Sequence, residues 1–110
     1  MATTTYKILG QLAPSATTST DLYTVPSATE TIVSSLTICN RGTAAATYRV
    51  SVSANGAVLS NEQYVVYDAS IAASETVVLS IGATLDATDK IRVYASSANL
   101  SFNAFGTEIA

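Results

Sequence analysis

Residues 34–50 read SSLTICNRGTAAATYRV. The stretch holds the one cysteine of the chain, Cys39, followed at once by Asn40-Arg41-Gly42, and the chain contains no histidine. Either it is a reactive site or it is two strands and the turn between them. On an extended segment Leu36 and Ile38 share one face, Thr37 and Cys39 the other. A thiol is activated by a nearby base, cation or metal. Without histidine no Cys–His dyad can form, and Arg41 falls in the turn. A small cysteine packed as a hydrophobe is the expected reading. Asn-Arg-Gly is expected to turn the chain, with ATYRV (residues 46–50) returning antiparallel as a hairpin.

Period two continues on both sides. Tyr48, Val50 and Val52 alternate with Thr47, Arg49, Ser51 and Ser53. Val77, Leu79 and Ile81 share a face, as do Ile91, Val93 and Ala95, and Leu100, Phe102 and Ala104. β-Branched residues and tyrosine fill these runs, as strands prefer. Pro14, Asp21, Pro26, Asn40-Arg41-Gly42, Asn55-Gly56, Asp68 and Asp86 interrupt them, and Asn55-Gly56 is the strongest turn signal because both residues accept positive φ. The pattern predicts about eight strands, near 4–10, 21–25, 31–40, 46–53, 62–67, 75–81, 89–95 and 99–108, and no helix. Short strands at this spacing imply one all-β domain over residues 1–110, an antiparallel β-sandwich of jelly-roll or immunoglobulin-like type. The expected core is Leu36, Ile38, Val50, Val52, Val77, Leu79, Ile91, Val93, Leu100 and Phe102. The polar stretch 11–20, QLAPSATTST, is expected to cross between sheets or to lie on a neighbour.

The composition sets bounds on function. The 110 residues suit one domain. Five basic against eight acidic residues give a net charge of −3, so no basic face for nucleic acid is expected. Ala, Ser and Thr make up 48 of the 110 residues, which leaves a surface of small neutral side chains poorly protected against self-association. One cysteine makes no internal disulfide, and MATTTYKILGQ has no apolar run of signal-peptide type, so synthesis in the cytoplasm is expected. No stretch approaches a membrane-spanning length.

No constellation of side chains points to catalysis, a cofactor or a metal. The acidic residues Asp21, Glu30, Glu62, Asp68, Glu75, Asp86, Asp89 and Glu108 are scattered at turns and strand starts. Asp86 and Asp89 share one turn, where capping of turn amides is preferred over a calcium site. The triplet Asn99-Leu100-Ser101 fits the glycosylation pattern but falls in an expected strand. With six tyrosines, rings are expected at contact rims as well as in the core, and Tyr64 and Tyr67 are expected on opposite faces of their strand.

The phrases TTTYKILGQLAP, DLYTVPSATETIVSSLTICNRGTAAATYRV and LDATDKIRVYASSANLSFNAFGTEI resemble small structural proteins of tailed bacteriophages, of the cyanophage and marine-phage type, over nearly the whole chain. Where such chains read Ala-Gly-Asp before the penultimate strand, this one has Ala87-Thr88-Asp89. The resemblance implies a β-sandwich and a virion location. Its first implied function is a capsid decoration (cement) protein, partnered by the major capsid protein and other virion proteins. The alternative is a tail, baseplate or fibre-attachment protein acting as a binding module. Neither is an enzyme, and neither calls for nucleic acid or membrane as partner. A homo-oligomer is expected, a trimer first, touching a neighbour through Tyr6–Gly10 or residues 11–20.

Overall fold

The computed structural model describes residues 2–110. The chain forms nine strands among the described residues: β1 (Thr4–Leu12), β2 (Thr20–Thr24), β3 (Glu30–Asn40), β4 (Ala46–Ser53), β5 (Tyr64–Ile71), β6 (Thr76–Leu79), β7 (Ala83–Leu85), β8 (Lys90–Ala95) and β9 (Leu100–Ile109). Two single turns of 3-10 helix, Ala54–Gly56 and Asn61–Gln63, lie between β4 and β5. One sheet runs β1-β9-β3-β6, with β7 also on β3, and the other runs β2-β8-β4-β5. All pairings are antiparallel.

This strand order is that of a jelly roll, in which most connections pass from one sheet to the other. The immunoglobulin-like alternative is set aside by it. The same order corrects the reading of residues 34–50. β3 and β4 belong to different sheets, so Arg41–Ala45 is a crossover and no hairpin forms there. Asn40 makes the crossover rigid. It is buried, its side-chain nitrogen donates to the carbonyls of Ala44 at 2.9 Å and Ala72 at 3.2 Å, and its oxygen accepts from Gly42 N at 2.9 Å. A turn-like tripeptide fixes local curvature only. Which sheet the next strand joins depends on partners far along the chain.

A ninth strand arises because the segment expected as 75–81 stops at Leu79. Gly82 takes φ 54°, and the chain rejoins β3 as β7. Bulges reset the alternation elsewhere. In β3 an extra residue at Ser34 puts Thr31 and Val33 inward on one side and Leu36, Ile38 and Asn40 inward on the other. Ile32 therefore faces out. An extra residue at Leu22 in β2 leaves both Leu22 and Tyr23 buried. Gly106 of β9 lies so close to the Ile32 carbonyl that a Cβ would collide with it, and Gly10 approaches the Leu22 carbonyl in the same way.

The core lies between the sheets. Leu36, Ile38, Val50, Ile91, Val93, Leu100 and Phe102 are buried as expected, joined by Val25, Val33, Tyr48 and Ile71. Val52, Val77 and Leu79 pack against this cluster but remain half-buried, because β6 is an edge strand and Val52 nears the end of β4. Ser51 and Ser53, expected on an open polar face, are buried instead. Residues 54–63 fold back over that face: Arg92 donates to Ser53 Oγ and the Ala57 carbonyl, each at 2.7 Å, and Ser53 Oγ donates to Gln63 Oε1 at 2.8 Å. The polar stretch after β1 is a crossover between sheets, tied by Thr17 N to the Ala95 carbonyl at 2.8 Å.

Candidate contact surfaces

Cys39 sits on β3 between Thr76 of β6 and Ser101 of β9, half-buried on the outer face. Arg41, its nearest cation in sequence, is engaged elsewhere: Nε donates to Ser101 Oγ at 2.7 Å and Nη2 to the Ala98 carbonyl at 2.9 Å. The carboxylates divide between turns and ion pairs. Asp89 accepts from Asn55 N and Asp86 N, both at 2.8 Å, and Asp86 from Ala87 N at 2.8 Å, so the 86–89 turn is capped by its own side chains. Glu75 accepts from Ala72 N at 3.1 Å. Among the described residues no three Cys, Asp or Glu side chains converge as a metal site would require. Asn99 lies in the turn before β9, outside the strand in which the triplet was expected.

A hollow of about 250 Å³ opens between the ends of β4 and β7, lined by Val52, Ser53, Ala54, Thr84, Leu85 and Asp89. Ser53 is committed to Arg92 and Gln63, and Asp89 to the backbone amides of Asn55 and Asp86. The hollow therefore offers little to orient a ligand.

One buried polar cluster joins the sheets. Tyr23 of β2 donates to Glu108 Oε2 of β9 at 2.6 Å and lies 2.8 Å from Thr31 Oγ1 of β3, while Lys7 of β1 reaches Glu108 Oε1 at 3.2 Å. The Tyr23 bond, assisted by Lys7, holds the Glu108 carboxyl below its ordinary range against the opposing effect of burial. Burial first, and Glu108 second, push the Tyr23 phenol up to about 12. The cluster is an inter-sheet fastening.

Two surfaces stand out for contact. On the outer face of the β2-β8-β4-β5 sheet, the Arg49 guanidinium lies 4.3 Å from the Tyr67 ring centre and 4.2 Å from that of Tyr94. Asp68 fixes it from the side, Nε to Oδ1 at 2.6 Å and Nη2 to Oδ2 at 3.2 Å, and this bond holds the Asp68 carboxyl below its ordinary range. Tyr64 meets Tyr67 edge to face at 4.9 Å. A bulge at Val65 brings Tyr64 and Tyr67 to one face, against the expectation of opposite faces. β5, β4 and β8 each contribute, so local sequence gave no sign of the cluster. Beside it, Asp21 takes Lys90 at 2.8 Å and Arg92 at 3.1 Å; the Lys90 bond, aided by Arg92, lowers its carboxyl against burial.

The outer face of the other sheet carries charge only at its ends, Glu30 beside Ile109 and Arg41 over Ser101. Register places Tyr6, Thr107, Ile32 and Thr84 in one row, Ile8, Phe105 and Ser35 in the next, and Gln11, Asn103, Thr37 and Val78 beyond. Tyr6 is 83% exposed, Val78 61%, Ile8 50% and Ile32 43%. Scattered single apolar residues on a surface are ordinary, whereas adjacent rows of them mark a contact surface. Against known proteins, no family model, no curated protein and no solved structure matches the chain.

Proposed function

We propose that the chain is a non-enzymatic structural protein of a tailed-bacteriophage virion, a decoration (cement) protein that lies on the head shell and holds neighbouring capsomers through the major capsid protein. Fold alone assigns no function, although the jelly-roll order is one that viral coat and lectin domains share. The observation that carries the reading is the outer face bearing Tyr6, Ile8, Ile32 and Val78, with charge only at its ends. Such a face gains by being covered, and a shell-bound protein is covered permanently. The phrases LYTVP, CNRGT and ANLSFNAFGTE add the phage resemblance. Quantitative gel analysis of purified virions tests the proposal: hundreds of copies per particle are expected. Absence from the particle contradicts it.

A second reading, a tail or fibre-attachment module, is favoured by the Arg49–Tyr67–Tyr94 cluster, since Tyr and Arg dominate binding hot spots. A handful of copies per particle, with loss of attachment in Tyr67→Ala and an unchanged melting curve, would select it.

A further inference from the structure

Of the four sheet edges, three offer no unbroken run longer than four residues. The β6–β7 edge is split at Ser80–Gly82. β2 is five residues long, bulged at Leu22, and carries Asp21. β5 has two register shifts, and Asp68 within it takes φ 51°. Bulges, short strands and charges are the devices that keep sheet edges from pairing with another chain. β1 differs. From Thr4 to Ile8 it pairs with β9 in unbroken register, every residue of that run is exposed, and Lys7, its one charge, is held by Glu108.

The hydrogen-bond phase of this edge follows from its first pair. Thr3 and Ala110 exchange both backbone bonds, at 2.5 and 2.9 Å. In an antiparallel ladder such pairs alternate with non-bonded ones. Thr5 and Lys7 therefore turn their backbone groups to β9, while Thr4, Tyr6 and Ile8 present N–H and C=O to the open side. The side chains of Tyr6 and Ile8 lie on the outer face.

We propose that a second copy of this chain pairs antiparallel with the β1 edge about a two-fold axis at Tyr6, joining the two β1-β9-β3-β6 sheets into one. β1 presents the longest unbroken run of edge, Thr4–Ile8 before its own bulge at Leu9, so a second copy has β1 itself to offer. With Tyr6 opposite the partner's Tyr6, Thr4 falls opposite the partner's Ile8, and every open N–H meets an open C=O. Tyrosine faces tyrosine on the outer face, a favourable cross-strand pair. Lys7 falls opposite the partner's Thr5, so no like charges face each other directly, and β1 brings no acidic residue to the seam although each chain carries −3. Two-fold pairing closes the assembly as a dimer. A three-fold ring would instead have to join β1 to one of the other edges.

Sedimentation of the full chain at tens of micromolar tests this. The wild-type protein is expected to be a dimer, and Tyr6→Pro a monomer with unchanged circular dichroism, since the lost N–H faces the open side. Disulfide trapping reads the register without relying on that variant's folding. In a Cys39→Ser background, Tyr6→Cys is expected to form a cross-linked dimer on mild oxidation, because directly opposed Cα atoms lie about 5.5 Å apart, within disulfide range. Thr4→Cys in the same background is expected to stay uncross-linked. A monomeric wild type, a trimer, a dimer unaffected by Tyr6→Pro in its folded form, or equal cross-linking of the two cysteine variants would each overturn the proposal.

Discussion

Tyr23 and Glu108 lie 85 residues apart in sequence and 2.6 Å apart in space, a phenol donating to a carboxylate across the two sheets. The bond determines how stability responds to acid. The folded Glu108 carboxyl sits below the ordinary 4.5, so its contribution is present above that pH and is lost as pH falls through the lowered folded value. The phenol runs the other way, contributing in full below pH 10 and losing its effect as pH rises through about 12. Tyr23→Phe removes a hydrogen bond to a charged group and should cost about 1–3 kcal/mol near neutral pH. Melting temperature measured against pH should show a shallower acid limb in this variant than in the wild type.

Asn40 tests the crossover. Asn40→Ala strips partners from the Ala44 and Ala72 carbonyls and from Gly42 N. Leaving a buried polar group unsatisfied costs about 1–3 kcal/mol. Urea unfolding should show a loss of that size, whereas an exposed tight turn would show almost none.

Thr88 takes φ 69°, a left-handed conformation unfavourable for a β-branched residue. Its hydroxyl bond to Asn55 Oδ1, at 3.1 Å, is exposed and contributes little. Thr88→Gly should therefore raise stability by about 1 kcal/mol, read as a higher urea midpoint with unchanged slope.

Much of the architecture was legible from residues 46–50, 90–95 and 100–104, where unbroken alternation both marks the strand and names its buried face. It failed where geometry interrupts the alternation. TIVSSLTI hides a bulge at Ser34 that turns Ile32 outward. In the LSIGATL run, the strand expected to reach residue 81 stops at Leu79, and a further strand follows Gly82. The chain bends after Asn40, but the destination of the following strand is set by β8 and β5, which no local pattern reveals. Contact surfaces were least legible of all, since Arg49, Tyr67 and Tyr94 come from three strands.

Position within the sandwich separates two valine and leucine truncations. Val50 is fully buried on a central strand, and Val50→Ala should cost about 2–4 kcal/mol through lost transfer energy and the cavity left behind. Leu79 is half-buried on edge strand β6, where the surroundings can relax, and Leu79→Ala should cost about 1–2 kcal/mol. Equal losses in chemical denaturation would contradict the assignment of β6 to the edge.

The proposed attachment to a virion is a contact made without ion pairs. The protein's cations are largely committed within the chain, Lys7 to Glu108, Arg49 to Asp68, and Lys90 and Arg92 to Asp21. Purified virions should be washed in about 1 M sodium chloride, where charges are screened within about 3 Å, and the copies per particle counted before and after. Hundreds of copies retained through the wash is the predicted result; ready release at high salt, with retention at low salt, would contradict it.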